Sequence, residues 1–171
     1  MRRICGDWPQ KSWANNELFN LLATVSTEPH TQAVHTAIRT LNHICVVDRI
    51  FQAHLLGETH GHSATNTGAT PELGELQLAV ADTDTWFERY TATVDDRQPN
   101  ERITFLFTDG DAGTMSREEM LLHVILHGAC HRGTVGQVLK STSIAPPRDL
   151  NKFLHVREHP SRAKSGSRGC F

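Results

Sequence analysis

The sequence predicts an all-α protein, a four-helix bundle with one long crossover that contains a short extended or hairpin segment. Three observations predict it. Four long stretches carry apolar residues at three- and four-residue spacings, the period of a helix with one buried face. One stretch alternates in the manner of a strand, enough for a hairpin but not for a sheet. There are no internal repeats.

The first helix is expected from about Trp8 to Val25, with Trp13, Leu18, Leu21, Leu22 and Val25 on its apolar face. "STEPH" (26–30) interrupts it, and Ser26 or Thr27 followed by Pro29 supplies a cap and first turn for the next helix. That second helix, about His30 to Leu56, carries Val34, Ile38, Leu41, Cys45, Asp48 and Phe51 along one stripe. Ile44, Val47 and Ile50 add another strip, so it is central or covers a partner as well.

"GETHGHSATNTGATPE" (57–72) is a loop by composition, and Thr70-Pro71 reads as a cap followed by proline at the first helical position. The third helix, about Glu72 to Val94, places Leu73, Leu76, Val80, Thr83, Phe87 and Tyr90 together, until "DDRQPNE" breaks it. Residues 102–116 alternate and hold Asp109-Gly110 as turn chemistry. Ser116 with Glu119 forms a capping box, which starts a fourth helix over about Arg117 to Ser141. The bundle is expected over residues 1–160. A polar, Gly- and Ser-rich tail, "SRAKSGSRGCF" (161–171), is expected to be flexible.

A chain of 171 residues can bury a core without staples, and 38% apolar with 21% charged residues is ordinary for a globular domain. A net charge of −2 and no basic stripe argue against a nucleic-acid partner. Cys5, Cys45, Cys130 and Cys170 form no C-x-x-C pair, which disfavours a zinc ribbon or a thioredoxin-type site. With no signal-peptide pattern and no run of 18 apolar residues, a cytoplasmic location with reduced thiols and no membrane span is expected.

Eleven histidines stand against 6% aromatics. "LLHVILHGACHRGTVGQ" (121–137) spaces three of them by four residues. Residues four apart on a helix lie about 5–6 Å apart on one face, so His127 and His131 can offer two imidazoles to one ion. His123 extends the row, but each step of four drifts about 40° around the axis, which argues against one ion held by all three. A catalytic metal needs a third ligand, and His43, midway along the second helix, is the best candidate. A core histidine bonded to a buried polar group is the alternative reading of His43. His30, His35, His54, His60, His62, His155 and His159 read as surface histidines.

"WANNELFNLL" (13–22), "LNHICVVDRIF" (41–51), "FTDGDAGTMSREEMLLHVILHGACHRGTVGQVL" (107–139) and "APPRDLNKFLH" (145–155) together resemble the DinB-like (DinB/YfiT-type) four-helix metalloprotein family. H-x-x-x-H-R-G followed by P-P-x-D is the most specific part. The resemblance implies a dimeric four-helix bundle holding a divalent metal with one His from the second helix and an i, i+4 pair from the last. Residue by residue these fall on His43, His127 and His131. Cys130 departs from the aromatic or polar residue that relatives often carry there. It projects about 100° away from His131 and is not counted as a ligand.

Three imidazoles leave coordination positions open, as in catalytic rather than structural metal sites. The resemblance implies an enzyme that activates a low-molecular-weight thiol or water: a thiol-dependent S-transferase or isomerase, or a hydrolase. Zinc or nickel is the first expectation for the ion, with iron or manganese after them. Asp48 is expected to hydrogen-bond a ligand imidazole, an ion pair within the bundle being its alternative. Arg132 is read as structural. Residues 127–131 read H-G-A-C-H, without the glutamate of an H-E-x-x-H metalloprotease. The competing function is a non-catalytic, dimeric, stress-associated metal-binding protein.

Overall fold

A computed structural model of the chain describes residues 8–94, 100–147 and 153–154. It contains four helices and one hairpin in the order α1 (Trp8–Thr24), α2 (Thr27–Leu56), α3 (Leu73–Thr93), β1 (Arg102–Leu106), β2 (Ala112–Ser116) and α4 (Arg117–Ser141). The all-α expectation holds, with a two-stranded antiparallel sheet in the crossover. The expected 161–171 tail, His155, His159 and the helix break at 95–99 lie outside the described residues. Among those described, no helix is long and apolar enough to cross a membrane.

Local chemistry sets most boundaries. Ser116 Oγ accepts from the Glu119 backbone N–H at 3.1 Å, and Glu119 reaches back to the Ser116 N–H at 2.6 Å, completing the capping box of α4. Gly57, at φ 71, ends α2 in the left-handed conformation that glycine adopts without a Cβ clash. The start of α2 differs from expectation. Ser26 occupies the cap position, but its hydroxyl donates to the Glu28 carbonyl instead, and Glu28, Pro29 and His30 depart from helical angles. Regular helix therefore begins after His30. Thr70-Pro71 also stays outside α3, where Glu72 is the cap residue and Thr70 Oγ1 lies 2.9 Å from His35 Nε2.

Helix α2 packs mainly on α4, and α1 mainly on α3. The core falls into two apolar clusters. One gathers Leu18, Phe19, Leu41, Ile44, Val80, Val135 and Leu139, with neighbours. The other gathers Trp8, Phe51, Phe87, Phe105, Met120 and Val124, with Trp8 and Phe87 stacked 4.6 Å apart. Between them lies a buried polar layer drawn from all four helices: Lys11, Asn15, Asp48, Asp84 and Arg132. Lys11 Nζ donates to Asp48 at 2.7 Å and also to Asp84. Asn15 donates to Asp84 at 2.8 Å and accepts from Arg132 at 3.2 Å.

The hairpin pairs Phe105 with Gly113. A Cβ at Gly113 would meet the rings of Phe105 and Phe107, each at 2.7 Å. Phe105 is a core residue, so its ring has little room to yield. Gly113→Ala is expected to cost about 1–3 kcal/mol by overpacking, read as a lower urea midpoint. An unchanged midpoint would mean that the rings swing aside freely.

Candidate metal centre

The polar layer sets the level of the site. His43 on α2 and His127 and His131 on α4 lie alongside it, while the residues after them, Ile44, Gly128 and Arg132, face inward. A Cβ at Gly128 would touch Arg132 Nη1 at 2.9 Å, Lys11 Cε at 3.5 Å and Ile44 Cγ2 at 3.8 Å. The ligand pair thus rides one residue ahead of the inner seam, half-buried at the α2–α4 junction.

The three expected histidines converge. One ligand nitrogen from each of His43, His127 and His131 lies within 4.8 Å of the others. Ring centroids are 4.9 Å apart for His43–His127, 4.7 Å for His43–His131 and 4.4 Å for His127–His131. The Nδ1–H of His43 donates to the Thr65 carbonyl at 2.7 Å, which leaves Nε2 as the lone-pair nitrogen. That Nε2 sits 3.1 Å from Nε2 of His127. Two nitrogens bound to one zinc at about 2.0–2.1 Å would be roughly 3.3 Å apart at a tetrahedral angle. The donors therefore fit a borderline divalent ion, and three imidazoles suit zinc or nickel better than magnesium or calcium.

Protonation favours the ligand form. Burial, aided by His131, His43, His123 and the Lys11 charge, pushes His127 down to about 3. Burial and His43 lower His131 in the same direction. Both rings are neutral near pH 7, so an ion need not displace their protons.

Asp48 does not support a ligand imidazole. It is 1% exposed, its Oδ2 accepts from Lys11, and its Oδ1 has no hydrogen-bond partner. The five-residue step from His43 turns it into the polar layer instead, and the Thr65 carbonyl takes the role expected of it. Arg132 lies in the buried layer with its guanidinium donating to Asn15. His123 packs its ring between Phe51, at 4.5 Å, and His127, at 5.4 Å, and does not join the trio. Cys130 is exposed and free.

The residues that aim Thr65 escaped the sequence reading. Asn42 donates to Asn66 and, at 2.7 Å, to Thr67 Oγ1, while Asn66 donates to the Arg39 carbonyl at 3.1 Å. Arg39 donates to the Thr67 carbonyl at 2.6 Å. The only hint was a loop with four threonines and one asparagine, facing a helix that carries Asn42 next to His43. Asn66→Ala is expected to free the loop and weaken zinc binding about 10- to 100-fold with all three ligands intact. Competition with a chromogenic chelator measures it, and unchanged affinity would show that the carbonyl does not need this anchorage.

A four-helix bundle that gathers three histidines from two facing helices around one point defines a class of bundle with a cluster that could hold a metal ion. Within that class the chain belongs to the DinB family, which its sequence matches over residues 8–156. No curated protein matches the chain in sequence.

Proposed function

We propose that the protein is a divalent-metal-dependent enzyme whose centre, His43, His127 and His131, activates a small thiol or water for transfer, isomerisation or hydrolysis. The observation that carries this reading is the convergence of three imidazoles with no fourth His, Cys, Asp or Glu grouped with them among the described residues. A bound divalent ion would supply Lewis acidity, lowering the pKa of a coordinated thiol or water. The chain does the rest. Thr65 fixes the tautomer and orientation of His43, burial keeps His127 unprotonated, and the half-buried placement of all three rings leaves a side open to solvent. Membership of the DinB family and the resemblance to its thiol-dependent members favour a low-molecular-weight thiol as co-substrate.

The alternative, a metal-binding protein without catalysis, is favoured by one observation. The nearest carboxylates of the layer, Asp48 and Asp84, are committed to Lys11 and leave no proton carrier there. Cobalt-substituted protein separates the two. A new near-ultraviolet band on adding a small thiol, together with metal-dependent conjugation of that thiol to an electrophilic aromatic, supports the enzyme. Stoichiometric cobalt with neither response supports the non-catalytic reading. The proposal includes a homodimer, supported by Leu122 and Leu126, which leave 45% and 59% of their surface exposed one turn apart on α4. Light scattering showing only monomer would remove that part.

A further inference from the structure

A second group of histidines lies apart from the first. A cavity of about 440 Å³ opens between the end of α2, the loop after it and the hairpin, and His54, Glu58, His60, His62, Phe105 and Leu106 are among its lining residues. His54 is 5% exposed, yet its Nε2 has no hydrogen-bond partner. His60 Nδ1 is buried without a partner too, while its Nε2 lies 3.5 Å from the Leu106 carbonyl. A buried donor or acceptor left unmet is costly. Two such nitrogens on neighbouring rings call for one shared partner.

The spacing says which partner. His54 and His60 have centroids 5.2 Å apart with planes at 72°, and His60 and His62 are 6.4 Å apart. Two imidazoles on one tetrahedral ion place their ring centres about 5–5.5 Å apart, a spacing the first pair matches. The carbonyl contact of His60 Nε2 leaves Nδ1 as its lone-pair nitrogen, the arrangement that supports a ligand histidine. Burial and His60 push His54 down to about 4, so its ring is neutral near pH 7.

We propose that His54, His60 and His62 form a second site for a borderline divalent cation, namely zinc, nickel or copper. His62, with its centroid 6.4 Å from that of His60, completes the site only by turning its ring inward. The Arg49 charge acts on His62 and opposes a cation. This site is therefore the weaker of the two. The rings of His123 and Phe51 stand between the centres, with Phe51 5.8 Å from His54. No ligand is shared, so each centre can be emptied alone.

The test is a zinc titration of untagged, metal-stripped protein, with bound metal counted by mass spectrometry and affinities read by chelator competition. The wild type should take two ions per chain, one held at least tenfold more tightly. His60→Gln/His62→Gln, in the loop, should keep the tight ion and lose the other. His43→Ala/His127→Ala/His131→Ala should keep only the weaker ion, and copper in that variant should show nitrogen couplings in its paramagnetic resonance spectrum. Saturation of the wild type at one ion would overturn the proposal and assign the unmet nitrogens to water. So would a second ion that survives His60→Gln/His62→Gln. Should the triple variant fail to fold, the comparison of wild type with His60→Gln/His62→Gln decides alone.

Discussion

His127→Ala/His131→Ala is expected to lose the tightly held ion and keep its fold. Structural zinc sites with four ligands bind with about 10–16 kcal/mol, so two ligands account for several kcal/mol and their removal for a fall on the order of 10⁴-fold or more. His43 alone then offers no competition to a chelator. The bundle should survive because neither ring fills the core: both are half-buried on the α2–α4 seam, and alanine is the better helix former. Metal content by mass spectrometry and circular dichroism on both proteins decide the matter. Equal tight binding in the two would show that the histidine row is not the centre.

How much of this could be read before the structure depended on how local each signal was. The ends of α4 followed from Ser116 and Glu119, three residues apart, and from the helical period up to Ser141. The His127–His131 pair was legible for the same reason, since four residues on a helix define a face. His43 was not determined by spacing, because only packing of α2 on α4 brings it there; its place midway along the second helix made it the best candidate, and the family resemblance strengthened it. On α1 the apolar period misled. The buried stripe is Trp8, Lys11, Asn15, Leu18, Phe19 and Leu22, but a lysine and an asparagine in it look like solvent-facing positions. Their partners lie 37 to 117 residues away, beyond any pattern of local spacing. That hidden layer also explains Asp48, whose distance from His43 suggested a ligand's support when its charge answers Lys11. Thr65 contributes a backbone carbonyl, an atom that every residue carries, so residue type could not have identified it.

Lys11→Met should be the most damaging single change in the core. Lys11 is wholly buried and donates to both Asp48 and Asp84. Methionine matches its length but leaves two carboxylates in a layer where Asp48 already has one oxygen without a partner. Breaking a buried pair from one side costs roughly 3–5 kcal/mol, a large share of the roughly 5–15 kcal/mol that holds a domain together. The sign of the pH dependence identifies the cause. Burial, opposed by Lys11, raises Asp48 from 3.8 to about 6; without the ammonium it rises further. Between the unfolded and folded values, the native protein holds a proton that the unfolded chain has released. Stability from Asp48 therefore grows as pH falls from about 7 toward 4 and is lost as pH rises through the folded value. Urea unfolding of Lys11→Met at pH 7.5 and pH 5 should show the smaller deficit at pH 5, relative to wild type at each pH. Asp48→Asn/Asp84→Asn added to Lys11→Met should recover part of the loss at pH 7.5, because two neutral amides cost less to bury than two unpaired carboxylates. A deficit independent of pH, with no recovery in the triple variant, would assign the loss to packing around Trp8 and Ile44 instead. The metal centre supplies an independent check, since Gly128 and Arg132, each next to a ligand histidine, rest against this layer. Weaker zinc binding by folded Lys11→Met would mean that the layer also holds the α4 ligands against His43.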